Sequence, residues 1–182
     1  MITMQEFINT FSGIRFYPLE PRPEDVSIAD IAHALSYMTR ANGHLAHFYS
    51  VAQHSVNCAL EAQARGHSRR IRLACLLHDA SEAYLSDITR PLKHHLDNYL
   101  EIERRLQSVI YARYGLDLGR EELAAVEAID DALLYAEFSV IQGLALFDTE
   151  PALSLRHDFS ERPFVEVRQE FLALFEELTN TI

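Results

Sequence analysis

The segment 76–84 contains a histidine and two acidic residues, His78, Asp79 and Glu82, in an otherwise apolar run with helical spacing. Ionisable side chains are costly to bury unless they are paired or bind a metal. If this helix is central to the fold, the partners of these three side chains should lie on the inward faces of neighbouring helices.

Two other predicted helices carry suitable partners. His54 lies on the apolar face of an earlier helix, one turn before Cys58, and Asp131 lies on the apolar face of a later helix with Leu134. The spacing leaves the adjacent Asp130 as an alternative to Asp131. Together with the histidine and aspartate of the central helix, these residues make a set of two imidazoles and two carboxylates.

Such a set suits one divalent metal ion that keeps coordination positions open for water and substrate. The set has no thiolate, which argues against a structural zinc site. Manganese, cobalt, nickel, iron and magnesium are the candidate metals.

Other residues are candidates for catalysis and substrate binding. Glu82 shares a predicted helix face with the central histidine and can orient a ligand or a water. Asp87 follows the helix and is either a proton donor to a leaving group or a residue of the terminating turn. Arg40 and Lys93 could hold a phosphate, with His44 nearby, although most cationic side chains are surface residues.

Hydrophobic periodicity predicts an all-α fold without a hairpin or a substantial sheet. Serines precede three of the predicted helices, as expected of N-caps. The predicted helices cover 28–39, 50–66, 68–86, 92–114, 120–147 and 163–179, with a short helix at 3–11. The chain of 182 residues is predicted to form a single domain, 1–182, with its core at 28–147.

Composition excludes several classes of protein. The net charge of −11 leaves no basic surface for a nucleic acid polymer, although a local cationic site could still bind a small anion. No apolar run is long enough to cross a membrane, and the N-terminus lacks a secretory signal pattern. The two cysteines, Cys58 and Cys75, lie in apolar helices and suggest a reducing compartment. A cytoplasmic protein is therefore predicted.

The order His54, His78-Asp79, Asp131 resembles that of the HD-domain metal-dependent phosphohydrolases. The chain is most similar to the bacterial HD-domain 5′-deoxynucleotidases and their relatives, and this resemblance covers residues 28–147. The features that carry it are Arg40, segment 49–55, the His-Asp-Ala-Ser-Glu run at 78–82, Asp87, Pro91, Lys93 and Asp-Ala-Leu at 131–133.

The resemblance implies an HD-domain helical bundle in which a metal is held by His54, His78, Asp79 and Asp131. The Asp-Ala-Leu match selects Asp131 over its neighbour. It also implies that the attacking water and the leaving oxygen are served by Glu82 and Asp87, and that Arg40 holds phosphate. The implied substrate is a small phosphate monoester, with a nucleoside 5′-monophosphate as the preferred candidate. The resemblance also suggests a homodimer.

The chain departs from the nucleotidase pattern at one position. The nucleotidases carry a tryptophan after the phosphate-binding arginine, whereas Ala41 follows Arg40 and the chain has no tryptophan. This leaves substrate selectivity open. The alternatives are a nucleotide pyrophosphohydrolase or phosphodiesterase, and a non-catalytic HD module that binds nucleotide or metal and regulates a partner.

Overall fold

A computed structural model describes residues 6–180 as a bundle of α-helices. Helices account for most of these residues, so the predicted all-α fold class is confirmed. Short 3-10 turns lie at Pro23–Asp25 and Arg40–Gly43. The helices are α1 (Ile28–Tyr37), α2 (Val51–Ala64), α3 (Arg69–Leu77), α4 (Glu82–Leu85), α5 (Arg90–Lys93), α6 (Asp97–Arg113), α7 (Arg120–Gln142) and α8 (Phe164–Thr179).

Helix α2 lies at the centre of the bundle, packed against α1, α3, α7 and α8. Its N-terminus is capped by Ser50, whose hydroxyl accepts a hydrogen bond from the Gln53 amide. The predicted caps Ser27 and Ser68 act in the same way on α1 and α3. Because α2 is buried over most of its length, His54 in its middle has to find its polar partners inside the protein.

The predicted helix at 68–86 is interrupted between α3 and α4. Between the two helices, backbone hydrogen bonds join residues three apart instead of four, such as the bond from the Glu82 amide to the Asp79 carbonyl. The Gln107 side chain of α6 donates to the Leu77 carbonyl and accepts from the Ser81 amide. These two bonds satisfy backbone groups that a continuous helix would pair internally. The prediction that Glu82 shares one regular helix face with His78 is therefore wrong.

Two other predicted helices differ in their bounds. The helix predicted at 92–114 is divided, because α5 ends at Lys93 and α6 begins at Asp97. The helix predicted at 120–147 ends early, since Gly143 adopts a left-handed φ of 69° and its amide bonds to the Ser139 carbonyl. Glycine at this position commonly terminates a helix.

The N-terminal region forms a small hairpin, which the sequence did not predict. Strand β1 (Ile8–Asn9) pairs antiparallel with β2 (Arg15–Phe16). Residues 3–5 of the short helix predicted at 3–11 lie outside the described residues, and the described part is not helical. The Phe16 ring is fully buried and stacks on Tyr84, with 3.9 Å between ring centroids. The hairpin is thus held by a tertiary contact that local sequence patterns do not reveal.

Glu61 joins α2 to the segment that precedes α8. This fully buried carboxylate accepts hydrogen bonds from the amides of Ser154 and Leu155, from the His157 ring and from the Arg65 guanidinium. Burial by itself raises the pKa of Glu61, but the bonds from Ser154, His157 and Arg65 outweigh it and lower the pKa. The ionised carboxylate therefore stabilises the folded chain.

We expect Glu61→Gln to lower the free energy of unfolding by about 2–3 kcal/mol near neutral pH, because charged hydrogen bonds are lost from a buried site. The folded-state pKa of Glu61 lies below the ordinary value of 4.5. Its contribution is therefore complete above that value and is lost as the pH falls through the folded-state pKa. Urea unfolding of both proteins from pH 7 into the acid range measures the difference, which should shrink as the pH falls.

Glu177→Gln is the matched control for this prediction. Glu177 pairs with Arg72 at the surface, where its side chain is 59% exposed, and its replacement should cost less than about 1 kcal/mol. An equal loss of stability in the two variants at every pH would contradict the role of Glu61.

Within residues 6–180, no helix combines the length and the apolar character needed to cross a membrane.

Candidate active site

The imidazoles of His54 and His78 face each other between α2 and the end of α3, with 3.2 Å between their Nε2 atoms. The Nδ1 atom of His54 lies 2.5 Å from a carboxylate oxygen of Glu137, and that of His78 lies 2.7 Å from the Cys75 carbonyl. These acceptors assign the ring proton to Nδ1 in each neutral imidazole. Both Nε2 lone pairs are then directed into the same small space.

Two carboxylates from different helices face that space. One oxygen of Asp130 lies 3.1 Å from His54 Nε2 and 3.7 Å from His78 Nε2. One oxygen of Asp79 lies 3.3 Å from His78 Nε2 and 3.8 Å from His54 Nε2. The loop after α3, helix α2 and helix α7 thus contribute donor atoms to one point.

The aspartate of α7 at this point is Asp130, and the prediction that Asp131 faces the site is wrong. Ile129 and Leu133 form the fully buried side of α7, which turns Asp130 toward α2. Asp131 points about 100° further around the helix. Its side chain is 39% exposed and lies 2.5 Å from Arg90.

The four donor atoms fit a divalent cation. Ligand atoms about 2.1 Å from a common ion lie about 3.0–3.5 Å from one another at tetrahedral or octahedral angles. The distances between the imidazole nitrogens and the carboxylate oxygens span 3.1–3.8 Å. A metal requires both imidazoles in the neutral form, with the two Nε2 lone pairs available as donors.

The electrostatics also favour positive charge at this point. Burial by itself lowers the pKa of His78, but Asp79 and Asp130 more than offset it and raise the pKa well above its ordinary value. The pKa of Asp130 is held well below its usual range, since its contacts with His54 and His78 outweigh its burial. The carboxylates thus attract a cation, which can be a ring proton or a bound metal.

Glu137 is a component of the site that the sequence did not reveal. It is 1% exposed, and its two oxygens lie 2.5 Å from His54 Nδ1 and 3.6 Å from Arg40 Nε. A carboxylate behind a histidine fixes the ring orientation and its tautomer. Its signal in the sequence is an acidic residue seven positions after Asp130, two helical turns along the same face of α7.

Arg40 lies behind the donor atoms, at 8% exposure. Its guanidinium is 3.2 Å from Asp79, 3.8 Å from Asp130 and 3.6 Å from Glu137. Burial by itself lowers the pKa of Arg40, but Glu137, Asp79 and Asp130 raise it well above the usual value. Arg40 therefore neutralises the carboxylates of the site, and its role in holding phosphate stays a prediction.

We expect Arg40→Met to lower the free energy of unfolding of the metal-free protein by about 3–5 kcal/mol, because it removes the cation beside the buried Glu137 and the partly buried Asp79 and Asp130. Urea unfolding in the presence of a chelator measures this loss. Arg162→Met is the control, since Arg162 pairs with Glu170 near the surface and its loss should cost less than about 1 kcal/mol. Similar values for the two variants would contradict the charge balance described for Arg40.

A cavity of about 490 Å³ is lined in part by the donor residues Asp79 and Asp130. Its walls include the predicted catalytic pair Glu82 and Asp87. One oxygen of Glu82 lies 3.7 Å from Lys93 Nζ, and the other is buried without a hydrogen-bond partner. Burial, together with the charges of Asp79 and Asp87, raises the pKa of Glu82 well above its ordinary value. A free acceptor oxygen beside the cavity can bind a water.

Asp87 is held beside the cavity by an unusual backbone conformation. The preceding Ser86 has φ 83° and ψ 153°, a region that is favourable almost only for glycine. The Ser86 carbonyl accepts a hydrogen bond from Tyr99. Burial raises the pKa of Asp87, which favours the protonated form that a proton donor needs.

Cationic side chains also line the cavity. The amine of Lys93 lies 2.7 Å from Glu103, and His44 is exposed in the cavity wall. Arg90, which was not among the candidates from the sequence, pairs with Asp130 at 2.7 Å and with Asp131 at 2.5 Å. Because the Arg90 side chain is 47% exposed, its guanidinium is more accessible to a ligand than that of Arg40.

The apolar part of the cavity wall includes Leu134, Phe138 and Leu146. A larger cavity of about 710 Å³ lies between α7 and the segment 150–160, and it includes His47 and His157 but none of the facing donor atoms. The smaller cavity is therefore the one associated with the candidate chemistry.

The HD domain family matches residues 34–139, more than half of the chain. This chain belongs to the HD-domain phosphohydrolase superfamily. Membership confirms the superfamily predicted from the sequence, and members of this family are generally hydrolases that bind divalent metals. It does not distinguish the 5′-deoxynucleotidase group from other HD-domain proteins.

Two relatives extend the comparison. Over 110 residues the chain is 44% identical to the uncharacterized protein YfdR of Escherichia coli (strain K12), an alignment that covers 60% of this chain and 59% of that protein. Over 176 residues it is 36% identical to an uncharacterized protein of Rhodobacter capsulatus, covering 89% of this chain and 90% of the relative.

Proposed function

We propose that this HD-domain protein hydrolyses small phosphate monoesters with one divalent metal ion, and that nucleoside 5′-monophosphates are its first candidate substrates. The observation that carries the proposal is the convergence of His54, His78, Asp79 and Asp130, together with a cavity that is lined by the two aspartates and by Glu82. Cavities of several hundred Å³ commonly bind molecules of nucleotide size.

A divalent ion held by the four donors would supply Lewis acidity toward water and the phosphoryl oxygens. In its ionised form Glu82, whose raised pKa makes it a stronger base, accepts a proton from the attacking water at its free oxygen. The water oxygen bonds to phosphorus as the ester P–O bond breaks. Asp87 gives its proton to the departing alkoxide. The products are inorganic phosphate and an alcohol, so atoms and charge balance.

The remaining groups of the cavity support binding of a phosphorylated ligand with an apolar or aromatic part. Arg90 and Lys93 can neutralise phosphate oxygens. Phe138 offers an aromatic face, and Leu134 and Leu146 offer apolar surface, to which a nucleobase can bind. Ala41 and Asn42 adopt left-handed φ values of 51° and 52° beside Arg40. The position at which the nucleotidases carry a tryptophan therefore has a small side chain and a left-handed backbone in this chain.

A screen of metals against substrates tests this proposal. The chelator-treated protein is supplied with manganese, cobalt, nickel, iron(II), magnesium or zinc, and released phosphate is measured. The panel contains nucleoside 5′- and 3′-monophosphates, diphosphates, triphosphates and cyclic dinucleotides. We expect metal-dependent phosphate release from 5′-monophosphates.

The other outcomes are equally informative. Release of pyrophosphate, or opening of a cyclic dinucleotide, without attack on monophosphates would replace the proposed bond specificity. Nucleotide binding by a metal-loaded protein that hydrolyses none of the panel would contradict the enzymatic proposal and favour a regulatory module.

A further inference from the structure

A thiol lies beside the candidate metal centre. Cys58 follows His54 by one turn of α2, and its Sγ is 3.5 Å from the His54 Nε2 atom. The side chain is almost fully buried, at 1% exposure. One donor atom from each of His54, Cys58 and His78 can be chosen so that all three lie within 4.8 Å of one another.

The position of this sulfur matches that of a metal ligand. A metal–sulfur bond of about 2.3 Å and a metal–nitrogen bond of about 2.1 Å, at an angle near 105°, separate the two donors by about 3.5 Å. The lone pair of His54 that faces Cys58 also faces His78 and Asp130. The sulfur and the two imidazole nitrogens therefore border the same point, and oxygens of Asp79 and Asp130 approach the same two nitrogens.

We propose that the Sγ atom of Cys58 is a fifth metal ligand, so that this site prefers thiophilic divalent ions such as zinc and cobalt over manganese and magnesium. This inference rests on the proposed metal centre. On binding, a metal–sulfur bond would form and the thiol proton would be released to solvent, with no change of oxidation state. Thiolate ligands favour softer metals, whereas carboxylates suit magnesium and manganese.

This proposal changes the metal expected from the sequence, which included no thiolate in the donor set. Cys58 was identified there only as an apolar helix residue. Its spacing of four from His54 places the two side chains on one helix face. The close approach of His78 from α3 is what brings the sulfur and both imidazoles together.

Cobalt(II) absorption tests the proposal without a measurement of activity. Wild-type protein, Cys58→Ala and Cys75→Ala are loaded with cobalt(II) after chelator treatment. Cys75 is the matched control, because it is also buried in an apolar helix but contributes only its backbone carbonyl to His78. We expect visible d–d bands in all three proteins and a near-ultraviolet sulfur-to-cobalt band in wild type and Cys75→Ala only.

Competition between zinc and manganese gives a second measurement. The ratio of zinc to manganese affinity should fall by at least about tenfold in Cys58→Ala and stay close to wild type in Cys75→Ala. Cys58→Ser serves if the alanine variant does not fold, and X-ray absorption of cobalt-loaded wild-type protein detects a cobalt–sulfur distance without any variant.

The outcomes separate this inference from the proposed function. Wild-type protein that binds cobalt with d–d bands but shows neither the charge-transfer band nor cobalt–sulfur scattering would overturn the role of Cys58 and leave the metal centre standing. Failure of wild-type protein to bind any divalent metal would contradict the metal centre itself, and this inference with it.

Discussion

Asp130→Asn is expected to abolish metal binding and phosphate release, whereas Asp131→Asn should leave both close to wild type. Of these two aspartates of α7, Asp130 directs an oxygen at the Nε2 atoms of His54 and His78, whereas Asp131 pairs with Arg90. Loss of a group behind a metal ligand costs about 10–100-fold in metal affinity, so loss of a direct ligand should cost more than about 100-fold. Calorimetric titration with manganese or zinc, and phosphate release at saturating metal, measure the two effects.

Asp131→Asn is a closely matched control, because it makes the same chemical change one position further along α7. Asp131 pairs with Arg90 near the surface, and the loss of such a pair is worth at most about 1 kcal/mol, or about fivefold in affinity. Loss of metal from Asp131→Asn with retention in Asp130→Asn would reverse the assignment and restore the choice made from the Asp-Ala-Leu match.

Glu82→Gln is expected to lower kcat by about 10²–10⁴-fold while metal affinity stays within about tenfold of wild type. The amide keeps the size of the side chain but cannot accept the proton of the attacking water. The buried oxygen of Glu82 without a hydrogen-bond partner is the observation behind this expectation. Steady-state kinetics on the best substrate of the screen, combined with metal titration, measure both quantities.

Glu103→Gln separates the direct role of Glu82 from an indirect effect on Lys93. Both glutamates approach the Lys93 amine, Glu103 at 2.7 Å and Glu82 at 3.7 Å. If Glu82 acts only by holding Lys93, the two variants should change KM alike and spare kcat. A large fall in kcat confined to Glu82→Gln is the expected result, and equal kinetics for the two variants would contradict it.

Much of the fold follows from local patterns. Ser27, Ser50 and Ser68 lie where helices begin, since each hydroxyl accepts a hydrogen bond from the amide three residues later in the chain. Local patterns did not predict the interruption between α3 and α4. The backbone groups of Ser81 and Leu77 are paired there by the side chain of Gln107 in α6, which is 26 and 30 residues away from them in sequence. Apolar periodicity carries no information about such a long-range bond.

For the candidate site, the chemistry of single residues was sufficient to identify His54, His78 and Asp79, because ionisable side chains in apolar helices need partners wherever they are buried. It could not separate Asp130 from Asp131. Neighbouring residues differ by about 100° around a helix, and the rotation of α7 depends on how Ile129 and Leu133 pack in the core.

Packing between helices also determines what surrounds the donor atoms. It directs Glu137 to His54, encloses Arg40 among three carboxylates and brings His78 beside His54 and Cys58. Each of these contacts joins side chains that lie on separate helices or loops, within a few ångströms of one another. The order of residues along the chain thus predicts which groups need a partner, whereas the three-dimensional arrangement of α2, α3 and α7 determines which partner each one has.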